Sequence, residues 1–134
     1  MIQALQHFHR YLRDRSGAAA IEFAIVGNAF LIFLFGIAYV GIIYWHAANL
    51  DWAVEAGSRI AILNSSATQS DISSAVNGYL AQVGMGSANV TYTVATNNGV
   101  KIASIDAKKS ETFDAPLINV FHITFHSTAQ VPQL

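Results

Sequence analysis

From Phe23 to Leu50 the chain contains no Asp, Glu, Lys or Arg, and most positions are Ile, Leu, Val, Phe, Ala or Gly. Its central part, Phe23 to Tyr44, is 22 residues long. At about 1.5 Å of rise per residue that length covers a hydrocarbon core of about 30 Å. A buried soluble helix this long and apolar is unusual in so small a protein, so the run predicts a membrane-spanning helix. Beyond Trp45 alanine is dense, and Leu50, Val54 and Ala61 recur at helical spacing beside Asp51, Glu55 and Arg59. The pattern predicts one helix over residues 18–64, transmembrane over 23–45 and amphipathic in its second half. Glu55 and Arg59 form an i,i+4 pair, and Asn64, Ser65 and Ser66 mark the end.

A second helix follows. Thr68 can cap it, with Asp71 three residues on, and Ile72, Val76, Leu80 and Val83 form a stripe close to a 3.6 period before Gly84 and Gly86 end it. The period then changes to two: Val90, Tyr92 and Val94 alternate with Thr91, Thr93 and Ala95. Asn98-Gly99 is the strongest hairpin signal in the chain, with Val100, Ile102 and Ser104 as the returning strand. Lys108 to Asp114 reads as a polar loop, and Leu117 to Val131 as a third strand with Phe121, Ile123 and Phe125 on one face. The fold class expected is therefore α+β: a long helix leading into a small domain, residues 67–134, in which one helix covers a three-stranded antiparallel sheet.

Charge sets a direction for the span. Arg10, Arg13 and Arg15 against Asp14 precede it, whereas Asp51 and Glu55 follow it before the first basic residue, Arg59. The positive-inside rule places the N-terminus in the cytoplasm and residues 67–134 on the far side, with Tyr39, Tyr44 and Trp45 as an outer aromatic belt. Residues 1–17 are then a short basic cytoplasmic leader. The apolar run is longer than that of an ordinary cleaved signal peptide, and no A-x-A site closes it. With no cysteine in 134 residues, disulfides, thiol chemistry and Fe–S sites are excluded.

Chemistry-bearing residues are few. His122 and His126 fall in a predicted strand, about 13 Å apart on one side, too far to share a metal. His7 and His9 lie in the leader, and His46 sits beside Trp45 at the interface. Asp106, Glu111 and Asp114 lie among Lys108 and Lys109 without calcium-loop spacing. No nucleophile elbow or phosphate-cradling loop is present. No catalytic, cofactor-binding or metal-ligating set is expected, and enzymatic activity is not.

Glu22, near the start of the apolar helix, does not suit a plain anchor. A carboxylate beside hydrocarbon is costly unless paired, interfacial or neutralised. The helix dipole and Arg15 can stabilise it within its own chain; a positive group from another chain is the alternative.

The segment Arg15-Ser16-Gly17-Ala18-Ala19-Ala20-Ile21-Glu22-Phe23 resembles the processing segment of type IV prepilins. More narrowly, Arg13 to Gly36 resembles the TadE-like proteins, pseudopilins of the tight adherence (Flp pilus) system. The resemblance implies cleavage by prepilin peptidase between Gly17 and Ala18, and Glu22 as the fifth-residue carboxylate. It implies a bacterial inner-membrane protein that assembles with other pilin or pseudopilin helices on an inner-membrane platform, with incorporation into a surface pilus as a further step. Where the family often has Pro, this chain has Asn28, which can hydrogen-bond across a helix interface. Phe23 and the small residues Ala24, Gly27, Gly36 and Gly41 belong to the expected packing surface. Residues 18–134 carry four basic and seven acidic residues, which disfavours nucleic acid as a partner. The competing reading is an uncleaved single-pass anchor that presents a binding or scaffold module within an envelope complex.

Overall fold

A computed structural model describes residues 16–115 and 118–133, with the side chains of residue 16 and residues 114–120 left undescribed. Of the expected leader, residues 1–17, residues 1–15 lie outside the described residues. Five elements follow in order: α1 (Ser16–Leu63), α2 (Gln69–Gln82), β1 (Asn89–Asn97), β2 (Val100–Ala115) and β3 (Ile118–Pro132). The strands form one antiparallel sheet in the order β1-β2-β3. The architecture is the expected one: a long apolar N-terminal helix, then a small α+β domain with a helix against a three-stranded sheet. By internal contacts the chain divides into two compact units, Met1–Gly41 and Ile42–Leu134.

In the first unit the helix side chains project into open surroundings: Phe23 is 79% exposed, Phe33 68% and Ile21 63%. A core helix of a soluble protein would bury such residues. This helix is long and apolar enough to cross a membrane, and none of its most apolar window is covered by the other described residues.

The second unit contains a conventional core. From the later part of α1 come Leu50, Ala53, Val54 and Ala61, and from α2 come Ile72, Val76 and Leu80, all buried. The sheet contributes Val90, Ala103, Ile105, Ala107, Phe113 and Phe125. Gly57 permits a close approach of α1 to α2, because a Cβ there would lie 3.0 Å from Val76 Cγ2 and 3.3 Å from Ile72 Cγ2. The buried polar groups on α1 are satisfied within the helix: Asn49 Nδ2 donates to the Trp45 carbonyl (2.8 Å) and Ser58 Oγ to that of Val54 (2.9 Å).

Local signals explain the connections. Thr68 and Asp71 form a full capping box at the start of α2. Hydrogen bonds from the Thr68 backbone and hydroxyl hold the Asp71 carboxyl below its usual range. Gly84 and Gly86, after α2, both have positive φ. In the β1–β2 turn Asn98 (φ 50°) and Gly99 (φ 82°) link the paired residues Asn97 and Val100, the geometry a two-residue hairpin with right-handed strand twist requires.

One reading of the sheet is corrected. Lys108 to Asp114 is not a loop: β2 continues to Ala115, paired with β3. Its alternation is real, with Lys109 and Phe113 on the core face and Ser110 and Thr112 exposed. Lys109 is tolerated inside because its ammonium donates to the Ser87 carbonyl (3.1 Å) and pairs with Glu111 (3.0 Å). Val100, Ile102 and Ser104 lie in the returning strand as expected, and the inward face of β2 is Ala103, Ile105 and Ala107. Antiparallel register decides this, since Ile105 lies opposite Tyr92 and Ala107 opposite Val90 on the face that meets the helices.

Candidate functional site

The site residues expected at the N-terminal end all lie on α1. Gly17, Ala18, Glu22, Phe23, Ala24, Asn28, Gly36 and Gly41 are exposed, and Gly27 is partly so. A helical backbone fixes which share a face. Glu22, Ala29, Phe33, Gly36 and Val40, spaced by seven, four, three and four, lie along one side. A shallow apolar groove runs over its later part, lined by Ile32, Phe33, Gly36, Ile37 and Val40. A methyl group placed on Gly27, Gly36 or Gly41 would meet nothing within 4 Å, so each leaves a notch in the helix surface. Phe23, Gly27 and Gly41 fall towards a second side, and Gly17, Ala24 and Asn28 towards a third. The small residues therefore do not make one stripe; they surround the helix.

Among the described residues Glu22 has no ion-pair partner; the ion pairs present are Arg59–Glu55, Lys108–Asp106, Lys109–Glu111 and His126–Asp106. A carboxylate on an apolar helix face, on the side of a groove that no described residue fills, can take a cation and a neighbouring helix from outside.

The histidines in the sheet serve local packing. His126 Nε2 donates to Asp106 on the outer face of the sheet, and His122 Nδ1 shares a hydrogen bond with Thr112 (3.0 Å). The bond from His126, aided by the nearby His126 and Lys108 charges, holds the Asp106 carboxyl below its usual range. Among the described residues no three His, Asp or Glu side chains gather as a metal site.

One group escaped sequence reasoning. His46 Nδ1 donates to the Ile42 carbonyl (2.9 Å), and its ring stacks on Phe125 (5.8 Å between centroids) and meets Phe113 edge-on (5.4 Å). Trp45 meets the His46 ring edge-on, and Phe121 stacks on Phe113. The 80 residues from His46 to Phe125 conceal this cluster from any local motif; its only trace was the inward alternation of Phe121, Ile123 and Phe125.

An exposed apolar helix followed by a small α+β domain, with an acidic residue in the helix's second turn, is the architecture of a chain with one helix fit to serve as a single-pass membrane anchor. The family model described as TadE-like protein matches residues 17–59, from the glycine of the processing segment to Arg59 on α1. That match covers α1 and not the sheet, and over that helix the chain is similar to the TadE-like proteins. No curated protein and no solved structure matches the chain.

Proposed function

We propose that this chain is a minor pilin-like subunit for assembly of a tight adherence pilus or secretion apparatus, matured by prepilin peptidase between Gly17 and Ala18. The observation that carries the proposal is Glu22: an exposed carboxylate five residues after Gly17, without an ion-pair partner among the described residues, on the same helix side as the Gly36 groove. Cleavage after Gly17 removes the basic leader and creates an ammonium at Ala18. That ammonium neutralises Glu22 of its own or a neighbouring chain in an apolar medium, where an unpaired charge is costly. Notches at Gly27, Gly36 and Gly41 on different sides suit a helix surrounded by several neighbours. In this reading residues 1–17 are the cytoplasmic leader, residues 18–64 the long helix spanning the inner membrane over 23–45, and residues 67–134 the extracytoplasmic domain. The partners are the peptidase, other pilin or pseudopilin helices, the assembly platform and the bilayer.

The test is Glu22→Ala in the native host, with membrane insertion and assembly followed separately. Loss of co-purification with pilin-like partners, with insertion intact, is the expected result. Normal assembly of that variant sinks the role given to Glu22.

A further inference from the structure

The sheet has two edges, and the chain treats them differently. In β1 the pair Asn97–Val100 closes a two-residue turn, so the backbone groups of the even-numbered residues point away from β2. The Gln69 side chain of α2 caps part of that row: it donates to the Val90 carbonyl (2.7 Å) and accepts from the Tyr92 amide (2.6 Å). An open strand edge is a template for another chain, and a plug of this kind blunts it.

The other edge is β3. The Gln133 amide donates to the Lys101 carbonyl (2.9 Å), and from there the β2–β3 register runs unbroken to Phe113 opposite Phe121. Alternation along an antiparallel ladder then turns the N–H and C=O of His122, Thr124, His126, Thr128 and Gln130 outward. Among the described residues no hydrogen bond meets these backbone groups, and their side chains are all exposed. From Phe121 to Val131 there is no Asp, Glu, Lys, Arg, Gly or Pro, so the edge lacks the charges and prolines that keep strands apart. Pro132, without an N–H, ends the row.

We propose that two copies of this chain pair through β3, antiparallel and centred on His126, to form one six-stranded sheet from two three-stranded ones. The occupant is a second copy because the row matches itself end to end. Turned about His126, it sets Thr124 against Thr128 of the second copy and His122 against Gln130, which uses every outward residue before Pro132. On the inner face Phe125 then lies beside Ser127 of the second copy and Ile123 beside Ala129, large against small. No Asp, Glu, Lys or Arg of β3 meets its like, and each His126 is held by Asp106 of its own chain. Because the outward residues carry their side chains on the outer face, both copies keep their helices on the same side of the sheet. The pair closes on itself: its two remaining edges are β1 strands, each with its Gln69 plug, so growth stops at the dimer. The inference uses only residues of the unit Ile42–Leu134 and stands apart from cleavage at Gly17.

The chain has no cysteine, so a single thiol reports one position. Full-length protein carrying His126→Cys, on the proposed axis, or Val94→Cys, an exposed position on the β1 edge, is reconstituted in phosphatidylethanolamine–phosphatidylglycerol vesicles and oxidised with copper–phenanthroline. Residues facing one another in a hydrogen-bonded antiparallel pair have Cα atoms about 5.5 Å apart, within disulfide reach. The expected result is severalfold faster dimer cross-linking at 126 than at 94. Thr128→Pro in the His126→Cys chain removes an outward N–H that the β2–β3 ladder does not use, and Thr128→Lys adds a charge to the edge. Each is expected to lower cross-linking at 126 to the rate at 94, with the circular dichroism spectrum unchanged. Equal rates at 126 and 94 overturn the proposal and leave the edge to a strand of a different protein. Cross-linking at 126 that neither Thr128 variant slows reports a contact other than strand pairing and also overturns it. Preferential cross-linking between His126→Cys and Val94→Cys chains when the two are mixed shows β3 pairing with β1 of the next copy, which contradicts a closed pair.

Discussion

The two parts of α1 are made of similar residues and solve opposite problems. Before Gly41 the helix shows large apolar side chains to its surroundings: Ile21, Phe23, Val26 and Phe33 are all well exposed. Beyond Asn49 the same helix hides a seam of Leu50, Ala53, Val54, Gly57, Ser58 and Ala61 against α2 and the sheet. In the second part each buried side-chain polar group has a partner within the chain. In the first, Glu22 lacks an ion-pair partner among the described residues. The difference teaches where to look for function: the later part of the helix meets its partners within the chain, and the earlier part leaves its apolar side chains open among the described residues.

The comparison breaks most completely at Gly17. Replacement by Leu places a bulky side chain at the proposed cleavage point, and the expected outcome is full retention of the leader in host membranes, read by immunoblot mobility, with folding of the domain unchanged. Next in size is the domain core. Leu80→Ala removes a fully buried side chain and is expected to cost about 3 kcal/mol, measured by denaturant titration of the detergent-solubilised full chain. Gly57→Leu drives a side chain into Val76 and Ile72 and should cost about 2 kcal/mol in the same titration. By contrast Gly36→Leu, in the open groove of the span, should leave that titration unaltered and reduce helix association.

The smallest effect is at the cap. Thr68→Ala should lose about 1 kcal/mol. Because the Asp71 pKa is lowered in the folded state, its contribution is fully present above the ordinary carboxylate range and disappears as pH falls through the lowered folded value. An Asp71→Asn variant should lack that acid-dependent loss, which an acid titration monitored by circular dichroism would show.

Much of this was legible because it rests on local chemistry. The capping box, the Asn98-Gly99 turn, the Glu55–Arg59 pair (3.3 Å) and the Ile72, Val76 and Leu80 stripe all involve residues within a few positions of one another. The later half of β2 was not legible, because Lys108 to Asp114 is polar in composition and only its partner strand makes it a strand. Ser110 and Thr112 find Thr124 and His122 across the ladder, and Lys109 is accepted inside only because Ser87 and Glu111 meet its ammonium. None of those partners is visible from the segment itself.

An edge contact was missed for the same reason. The Gln69 carboxamide donates to the Val90 carbonyl (2.7 Å) and accepts from the Tyr92 amide (2.6 Å), closing part of the open edge of β1 as a neighbouring strand would. At the N-terminal end the family resemblance named Gly17 and Glu22, and the helix places Glu22 on the same side as Gly36. It did not anticipate that the small residues would be distributed around the helix rather than aligned.

The most direct measurement is the intact mass, with N-terminal peptide sequencing, of the protein extracted from the membranes of its native host. A chain beginning at Ala18 is the predicted result and establishes prepilin-type maturation; a chain that retains Met1 to Gly17 contradicts it and leaves an anchored domain whose Glu22 has no role in assembly.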